Sequence, residues 1–293
     1  MSIVITGASG HLGRAVVEEA LQRVDAADLI LVTRTPDALA EYAERGARVR
    51  YGDFGEPATL AAAFADGRRL LLISTDAVGS RVKQHETAIA AAVTAGVQFV
   101  AYTSILNPAG TNPAGVVPEH QATEDALRSS GLEWALLRHS IYADLEADNL
   151  AVAAATGKLV TNAGPGRIAY VARDDCAAVA AAVLVGGDHA GQAYDVTGPE
   201  PLDADDRAAV FAELTGSPVE VVQVDDESFA AGLAQATGLP IEAGRLYASF
   251  GQAAREGHLD QVSNAVEALT GRPPRTLRQV LEAHHQEPAA QPA

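Results

Sequence analysis

The sequence predicts an α/β fold: a Rossmann-like, doubly wound parallel sheet with a smaller α+β lobe toward the C-terminus. Three observations predict it. Short β-branched runs alternate with Ala, Leu and Glu-rich segments of helical period, the sequence form of successive βα units. Glycines recur shortly before the apolar runs, where a helix must stop and a strand begin. At 293 residues, with 48% hydrophobic and 20% charged side chains, the chain can bury a large core without two full domains.

The elements follow in order. Strands are expected at 2–5, 29–33, 48–51, 69–74, 99–104 and 133–137, with helices beginning near His11, Pro36, Pro57, Ser80 and Pro118. Gly46, Gly67, Gly96 and Gly131 are expected to close helices in left-handed backbone. The Pro, Gly and Asn-rich segment 105–117 breaks the rhythm as a loop after the fifth strand, placed to border a site, because open α/β sheets bind ligands beyond the carboxyl ends of their strands. An Ala-rich helix to Thr156, a Gly and Pro-rich connection through Gly166, and the segment 168–172 leading into another helix follow. The expected division is a nucleotide-binding unit over 1–144 with returning elements near 168–198, a smaller substrate lobe from 145–167 and 199–283, and a disordered tail over 284–293.

The formal net charge of -17, with 21 scattered basic residues, excludes a nucleic-acid surface, which needs clustered Lys and Arg. The single cysteine, Cys176, rules out an intramolecular disulfide and reads as core filler in an Ala-rich stretch. With no basic leader and no long uncharged apolar run, the expected setting is the cytoplasm and no membrane partner is expected; a homodimer is left open.

The first strand runs into Thr6-Gly7-Ala8-Ser9-Gly10-His11-Leu12-Gly13 and directly into a helix. In that context Gly7 permits a tight turn, Gly10 lets a diphosphate approach the backbone, and Gly13 lets the helix pack close, so that helix amides meet negative charge. An NAD binder would carry an acidic side chain after the second strand, to hold the ribose 2'-hydroxyl. This chain has Arg34. A guanidinium there can pair with a 2'-phosphate, which favours NADP(H) while leaving NAD(H) open; stacking on adenine or plain solvation is the other reading. Asp53 and Phe54 are positioned either to meet the adenine or, for Asp53, to cap a helix. Ser74, Thr75 and Asp76, with Thr103 and Ser104, end strands beneath the nicotinamide half.

Short-chain dehydrogenases use Ser with Tyr-x-x-x-Lys for proton transfer, and that pair is missing. Where it would fall stand His120 and Glu124, at i,i+4 on one helical face, where the carboxylate could orient or charge the imidazole, or the two could form a solvated pair. No third ligand accompanies them, so no metal is expected. Arg138 to Tyr142 leave the sixth strand to line the nicotinamide and substrate pocket, with Tyr142 able to stack on a flat substrate. Trp134 is expected in the core. His139 either faces the cofactor or is a buried imidazole.

Taken together, Thr6 to Gly13, Arg34 within Val-Thr-Arg-Thr-Pro, Leu71-Leu72-Ile73-Ser74, Tyr102-Thr103-Ser104, Glu119-His120 with Thr123-Glu124, and Leu137-Arg138 resemble the NmrA-like atypical short-chain dehydrogenases. Within that family the sequence is most similar to the bacterial NAD(P)H:quinone oxidoreductases of type 2. The resemblance implies NADPH along the strand ends and a quinone reduced beside the nicotinamide, without flavin or metal. It departs from the family where relatives carry Asn-Gly-Trp-Tyr and this chain has His139-Ser140-Ile141-Tyr142, which reshapes the pocket.

The expected function is hydride transfer from NADPH to a quinone or similarly activated small acceptor, with His120, Tyr142 and Ser104 as candidate catalytic groups. Reduction of an aldehyde, ketone or imine is an alternative that demands a better placed acid. A non-catalytic NADP-binding redox sensor is another.

Overall fold

The computed structural model describes residues 1–286. Its centre is a seven-stranded parallel sheet in the order β3-β2-β1-β4-β5-β6-β8. The strands are β1 (Ile3–Thr6), β2 (Leu29–Thr33), β3 (Arg48–Tyr51), β4 (Arg69–Leu72), β5 (Phe99–Ile105), β6 (Glu133–His139) and β8 (Gln192–Val196). The inner strands read as unbroken apolar runs because both sheet faces are covered.

Successive side chains point to opposite faces. Ile3, Ile5, Leu29, Leu31, Leu71 and Leu137 pack under helices α1 (His11–Leu21) and α7 (Arg173–Val185), and Cys176 lies fully buried there as core filler. Val4, Ile30, Leu70, Leu72, Val100 and Leu136 pack under α3 (Pro57–Phe64), α4 (Arg81–Thr94) and α5 (Val117–Arg128). Burying a Leu or Ile side chain stabilises by about 1.5–3 kcal/mol, which holds the sheet against the entropy of ordering it. Trp134 is only half-buried against this second cluster, with the Arg128 guanidinium 5.4 Å from its ring centre.

Several expected boundaries shift. The helix expected at Pro36 is a 3-10 turn, Pro36–Leu39, followed by the short α2 (Ala40–Glu44). The ladder of β4 stops at Leu72, leaving Ser74 beyond the sheet, whereas β5 and β6 run on to Ile105 and His139. Gly46, Gly96 and Gly131 are left-handed as expected, but Gly67 is not: Asp66 takes the positive φ of 66°. Gly67 is needed for space, since a Cβ there would lie 2.3 Å from Cγ2 of Val4.

After β6 the chain leaves the sheet through a 3-10 turn, Ala143–Leu145, into α6 (Glu146–Thr156) and β7 (Lys158–Thr161). It returns as α7 and β8, then leaves again for α8 (Ala204–Thr215), β9 (Glu220–Gln223), α9 (Asp226–Thr237) and α10 (Ile241–Arg255). β7 and β9 form a two-stranded parallel sheet, and Leu150, Leu159, Phe211, Leu259 and Leu281 form a separate apolar cluster. Helix α11 (Ala265–Thr270) docks back on α7, and α12 (Leu277–Gln286) packs on α6 and α8. The tail expected to be disordered from His284 is therefore helical to Gln286, where the periodicity of α12 carries it on, and 287–293 lie outside the described residues. Among the described residues no helix is long and apolar enough to cross a membrane.

Candidate functional site

The strand order reverses at β1 and β4, so β1 continues to β2 on one side while β4 leads away on the other. That switch point opens a crevice at the carboxyl ends. A cavity of about 350 Å³ lies there, lined among others by Gly7, Ser9, Gly10, Arg34, Asp53, Phe54, Ser74, Thr75 and Asp76. Nine of the expected cofactor residues thus converge on one cavity.

The glycine loop is built for close approach. Gly7 has φ 60°, and a Cβ on Gly13 would lie 2.2 Å from the Gly7 carbonyl and 2.7 Å from Cα of Ala8, so the helix can touch the turn only without a side chain. Gly10 is the N-cap of α1, with no side-chain cap and no acid in the first turn. The first helical amides, from His11 to Gly13, therefore have no intrahelical acceptor and present partial positive charge to the crevice. His11 is exposed, whereas Leu12 packs its side chain in the core. Ala8 is also buried, and its N–H donates to the Val32 carbonyl at 3.2 Å.

The side chains of Thr6 and Thr103 are props rather than lining. Thr6 donates to Leu71 O at 2.9 Å and accepts from the Ile73 N–H at 3.1 Å, bridging the gap where β1 and β4 part. Thr103 Oγ1 accepts from the Ser74 N–H at 2.8 Å. Ser9 meets Thr33 Oγ1 at 2.7 Å. Asp53 accepts from the Gly55 N–H at 2.7 Å and does not cap α3, whose N-cap is Glu56. Arg34 lines the cavity and has no carboxylate partner among the described ion pairs, unlike Arg14, which binds Glu41 at 2.7 Å.

At the reacting end the structure departs from the expectations at Glu124, Ser104, Arg138 and Tyr142. Glu124 does not charge His120: its buried carboxylate accepts from Ser104 Oγ (2.7 Å), Arg138 Nε (3.0 Å) and NH2 (2.7 Å), and Arg128 NH2 (2.8 Å). Burial pushes its pKa up, but the bonds from Arg138 and Ser104 outweigh that and hold it below the usual carboxylate value. Ser104 is therefore committed to Glu124. Arg138 is not among the residues lining the switch-point cavity and lines instead a second cavity of about 270 Å³ with Glu124, Arg128, Asn107 and Asp195. Tyr142 is not free to stack on a substrate, because the Arg173 guanidinium sits 5.4 Å from its ring centre and its hydroxyl meets His139 Nδ1 at 2.9 Å.

His120 is 7% exposed and meets the Tyr102 hydroxyl through Nδ1 at 2.8 Å. Burial lowers the pKa of His120 and of His139 to about 3, so both are neutral imidazoles at working pH. In each pair we assign the phenol proton to Nδ1, since an O–H turned elsewhere would be buried without an acceptor, and this assignment leaves the imidazole proton on Nε2. For His139 that Nε2 is buried without a partner among the described residues, as are Ser140 Oγ next to it and Thr75 Oγ1 in the loop after β4. Orphaned donors at strand ends are what a bound polar ligand would satisfy.

The sequence reading missed Thr33, Thr35, Gly52, Ile73, Ala77 and Gln84 in the cavity wall. Thr33, Thr35, Gly52 and Ile73 adjoin the expected residues and could have been found by extending each strand end. Gln84, on α4, carries no local signal. Among the described residues no group of three His, Cys, Asp or Glu side chains is placed to hold a metal.

A glycine turn at the switch point, an uncapped helix start and a cavity along the strand ends define a dinucleotide-binding protein of Rossmann type. The sequence profile of a family described as NAD(P)H-binding matches residues 7–185. Quinone oxidoreductase 2 of Escherichia coli is 36% identical over 275 residues, covering 94% of this chain and 96% of that protein. An NmrA-like family domain-containing oxidoreductase of Aspergillus flavus is 31% identical over 78% of this chain and 76% of its own. The crystal structure of the Escherichia coli NADPH-dependent quinone oxidoreductase complexed with NADPH superposes with a TM-score of 0.93 at 34% identity, over 97% of this chain and 100% of that one. The chain belongs to the NAD(P)H-binding, NmrA-like family of oxidoreductases.

Proposed function

We propose that this protein is an NADPH-dependent oxidoreductase that delivers a hydride to a quinone or a similarly activated small acceptor. The observation that carries the reading is the switch-point cavity, lined both by the glycine turn that opens the uncapped helix and by an Arg34 with no carboxylate partner among the described residues. The near full-length likeness to a quinone oxidoreductase that binds NADPH supports the same reading.

In this reading the amides from His11 to Gly13 meet the pyrophosphate, Arg34 pairs with the 2'-phosphate, and Asp53 and Phe54 border the adenine. Ser74, Thr75 and Asp76 hold the ribose beyond it, and His139 offers Nε2–H to a polar group of the nicotinamide half. The bound cofactor supplies the hydride and needs neither metal nor flavin. What the protein must do is align two flat rings and exclude water.

Ser104 and Tyr142, bound to Glu124 and His139, act as positioning groups. His120 is the remaining candidate for direct contact, and as a neutral Nε2–H imidazole it is a hydrogen-bond donor to a developing oxyanion rather than a strong acid. A quinone tolerates this because its reduced form takes protons readily from water. Aldehyde, ketone or imine reduction would need a stronger acid than these depressed imidazoles supply.

The test is NADPH oxidation against a panel of quinones, aldehydes and imines. Turnover is expected with quinones; turnover confined to the carbonyl or imine arm, or none with any acceptor despite cofactor binding, would overturn the assignment. Arg34→Glu should raise KM for NADPH by about tenfold or more while sparing NADH, the size of a lost charge-assisted contact. Equal effects on both cofactors would remove the 2'-phosphate role.

A further inference from the structure

Beyond Leu72, where β4 ends, the chain pairs with no strand among the described residues, yet it carries part of the cavity wall. Its polar groups are met by side chains from other elements. Ile73 and Ser74 donate to Thr6 and Thr103, and the Thr75 N–H donates to Nε2 of His85 at 3.1 Å. The Thr75 carbonyl accepts from Nε of Arg81 at 2.7 Å, so one loop residue is gripped on both sides by α4. The Gly79 N–H then donates to Oε1 of Glu119 on α5 at 2.7 Å, and Arg81 NH1 approaches the other Glu119 oxygen at 3.3 Å.

The direction of each bond around His85 is determined. A backbone N–H can only donate, so Nε2 accepts and the imidazole proton is on Nδ1. Nδ1 lies 3.0 Å from Thr123 Oγ1, whose own proton goes to the Glu119 carbonyl at 2.9 Å. His85 is fully buried and Arg81 is 6% exposed. Burying an imidazole and a guanidinium is costly where a leucine would fill the same space, so a filling role does not account for them. What they secure is the backbone of Thr75, a residue of the cavity wall whose hydroxyl is buried without a partner among the described residues. Glu119 and Thr123 also bracket His120 on α5.

We infer that His85, Arg81 and Glu119 are positioning residues that hold the segment from Ile73 to Ser80 in its cofactor-binding shape before the dinucleotide arrives, and lock it to the helical turn carrying His120. The inference rests on the NADPH reading above. A preformed wall spares the ligand the entropy of ordering it.

The test compares wild type with His85→Leu and His85→Gln in the full chain, reading amide exchange without cofactor and the NADPH dissociation constant by calorimetry. In His85→Leu the Thr75 amide should exchange about tenfold faster or more while the β1 and β5 amides keep their rates, and NADPH should bind about tenfold more weakly. Gln, which can accept from Thr75 and donate to Thr123, should bring both back to within about threefold of wild type. Unchanged exchange at Thr75, or acceleration spread evenly over the core strands, overturns the clamp. If His85→Leu fails to fold, Glu119→Ala decides by the same measure at Gly79. Wild type that binds no NADPH yet protects Thr75 would sink the NADPH reading and leave the clamp standing as a structural fact.

Discussion

Replacing Glu124 by Gln is the sharpest test of how the reacting end is wired. The carboxylate is 1% exposed and accepts four hydrogen bonds, three of them from guanidinium groups. A glutamine keeps one acceptor oxygen and turns an NH2 group toward donors, leaving Arg138, 23% exposed, without its counter-charge. Arg128, at 36% exposed, can turn to water and contributes little. Removing one partner of a buried pair costs about 3–5 kcal/mol. With a urea dependence of about 3 kcal/mol per molar for a chain of this size, the midpoint should fall by about 1–1.7 M. The double variant Glu124→Leu with Arg138→Met should recover part of the loss, because the guanidinium left unpaired by the single change is removed with it, while Asp195 loses the positive charge beside it. Turnover per folded molecule should keep its pH profile, since Glu124 does not touch His120. A midpoint change under about 0.3 M, or a shifted profile with unchanged stability, would refute the wiring.

Gly13→Ala places a methyl against backbone that has no side chain to give way, so it should cost about 1–3 kcal/mol of stability and most of the NADPH affinity, measured by melting and calorimetry. Gly10→Ala, whose Cβ meets only the Gly7 carbonyl at 3.3 Å, should lower affinity while leaving the melting temperature within about 1–2 °C. His85, His120 and His139 are each held neutral by burial, with pKa values near 3 against 6.5 unfolded. The unfolded chain binds the extra protons, so their contribution is complete above pH 6.5 and is lost as pH falls from there toward 3, by about 1.4 kcal/mol per unit for each group. Urea midpoints that stay flat between pH 7 and 4.5 would contradict this. Tyr142→Phe should reduce turnover by no more than about tenfold, the size of one lost orienting hydrogen bond, whereas complete loss would make the phenol a direct acid.

The sheet and the dinucleotide turn were legible because their signals are local. A glycine triplet between an apolar run and a helix, and strands apolar on both faces, declare themselves within a dozen residues. Arg34 could be placed at the cavity from its strand end alone. The partners of Glu124 could not, because helical periodicity puts it on the same face as His120 but is silent about Arg138 and Ser104, which reach that carboxylate from neighbouring strands. Tyr142 shows the same limit: leaving a strand end suggests a pocket, yet Arg173, thirty-one positions on, covers the ring. His85 had no local mark, since its meaning depends on one amide in the β4 loop and one hydroxyl on another helix.

The path of the backbone through β6, α6, α7, β8 and α11 has a mechanical consequence. The Ala143 N–H donates to Val171 O at 2.8 Å beside the Tyr142–Val171 bridge, and elsewhere the Arg275 N–H donates to Asp175 at 2.7 Å, so the two apolar bodies are stitched by more than one seam. A body sewn on in this way has no single pivot on which to swing, and loosening one seam leaves the others taut. Heating should accordingly dissolve both bodies in one cooperative step, with no stage at which the smaller has melted while the larger still stands.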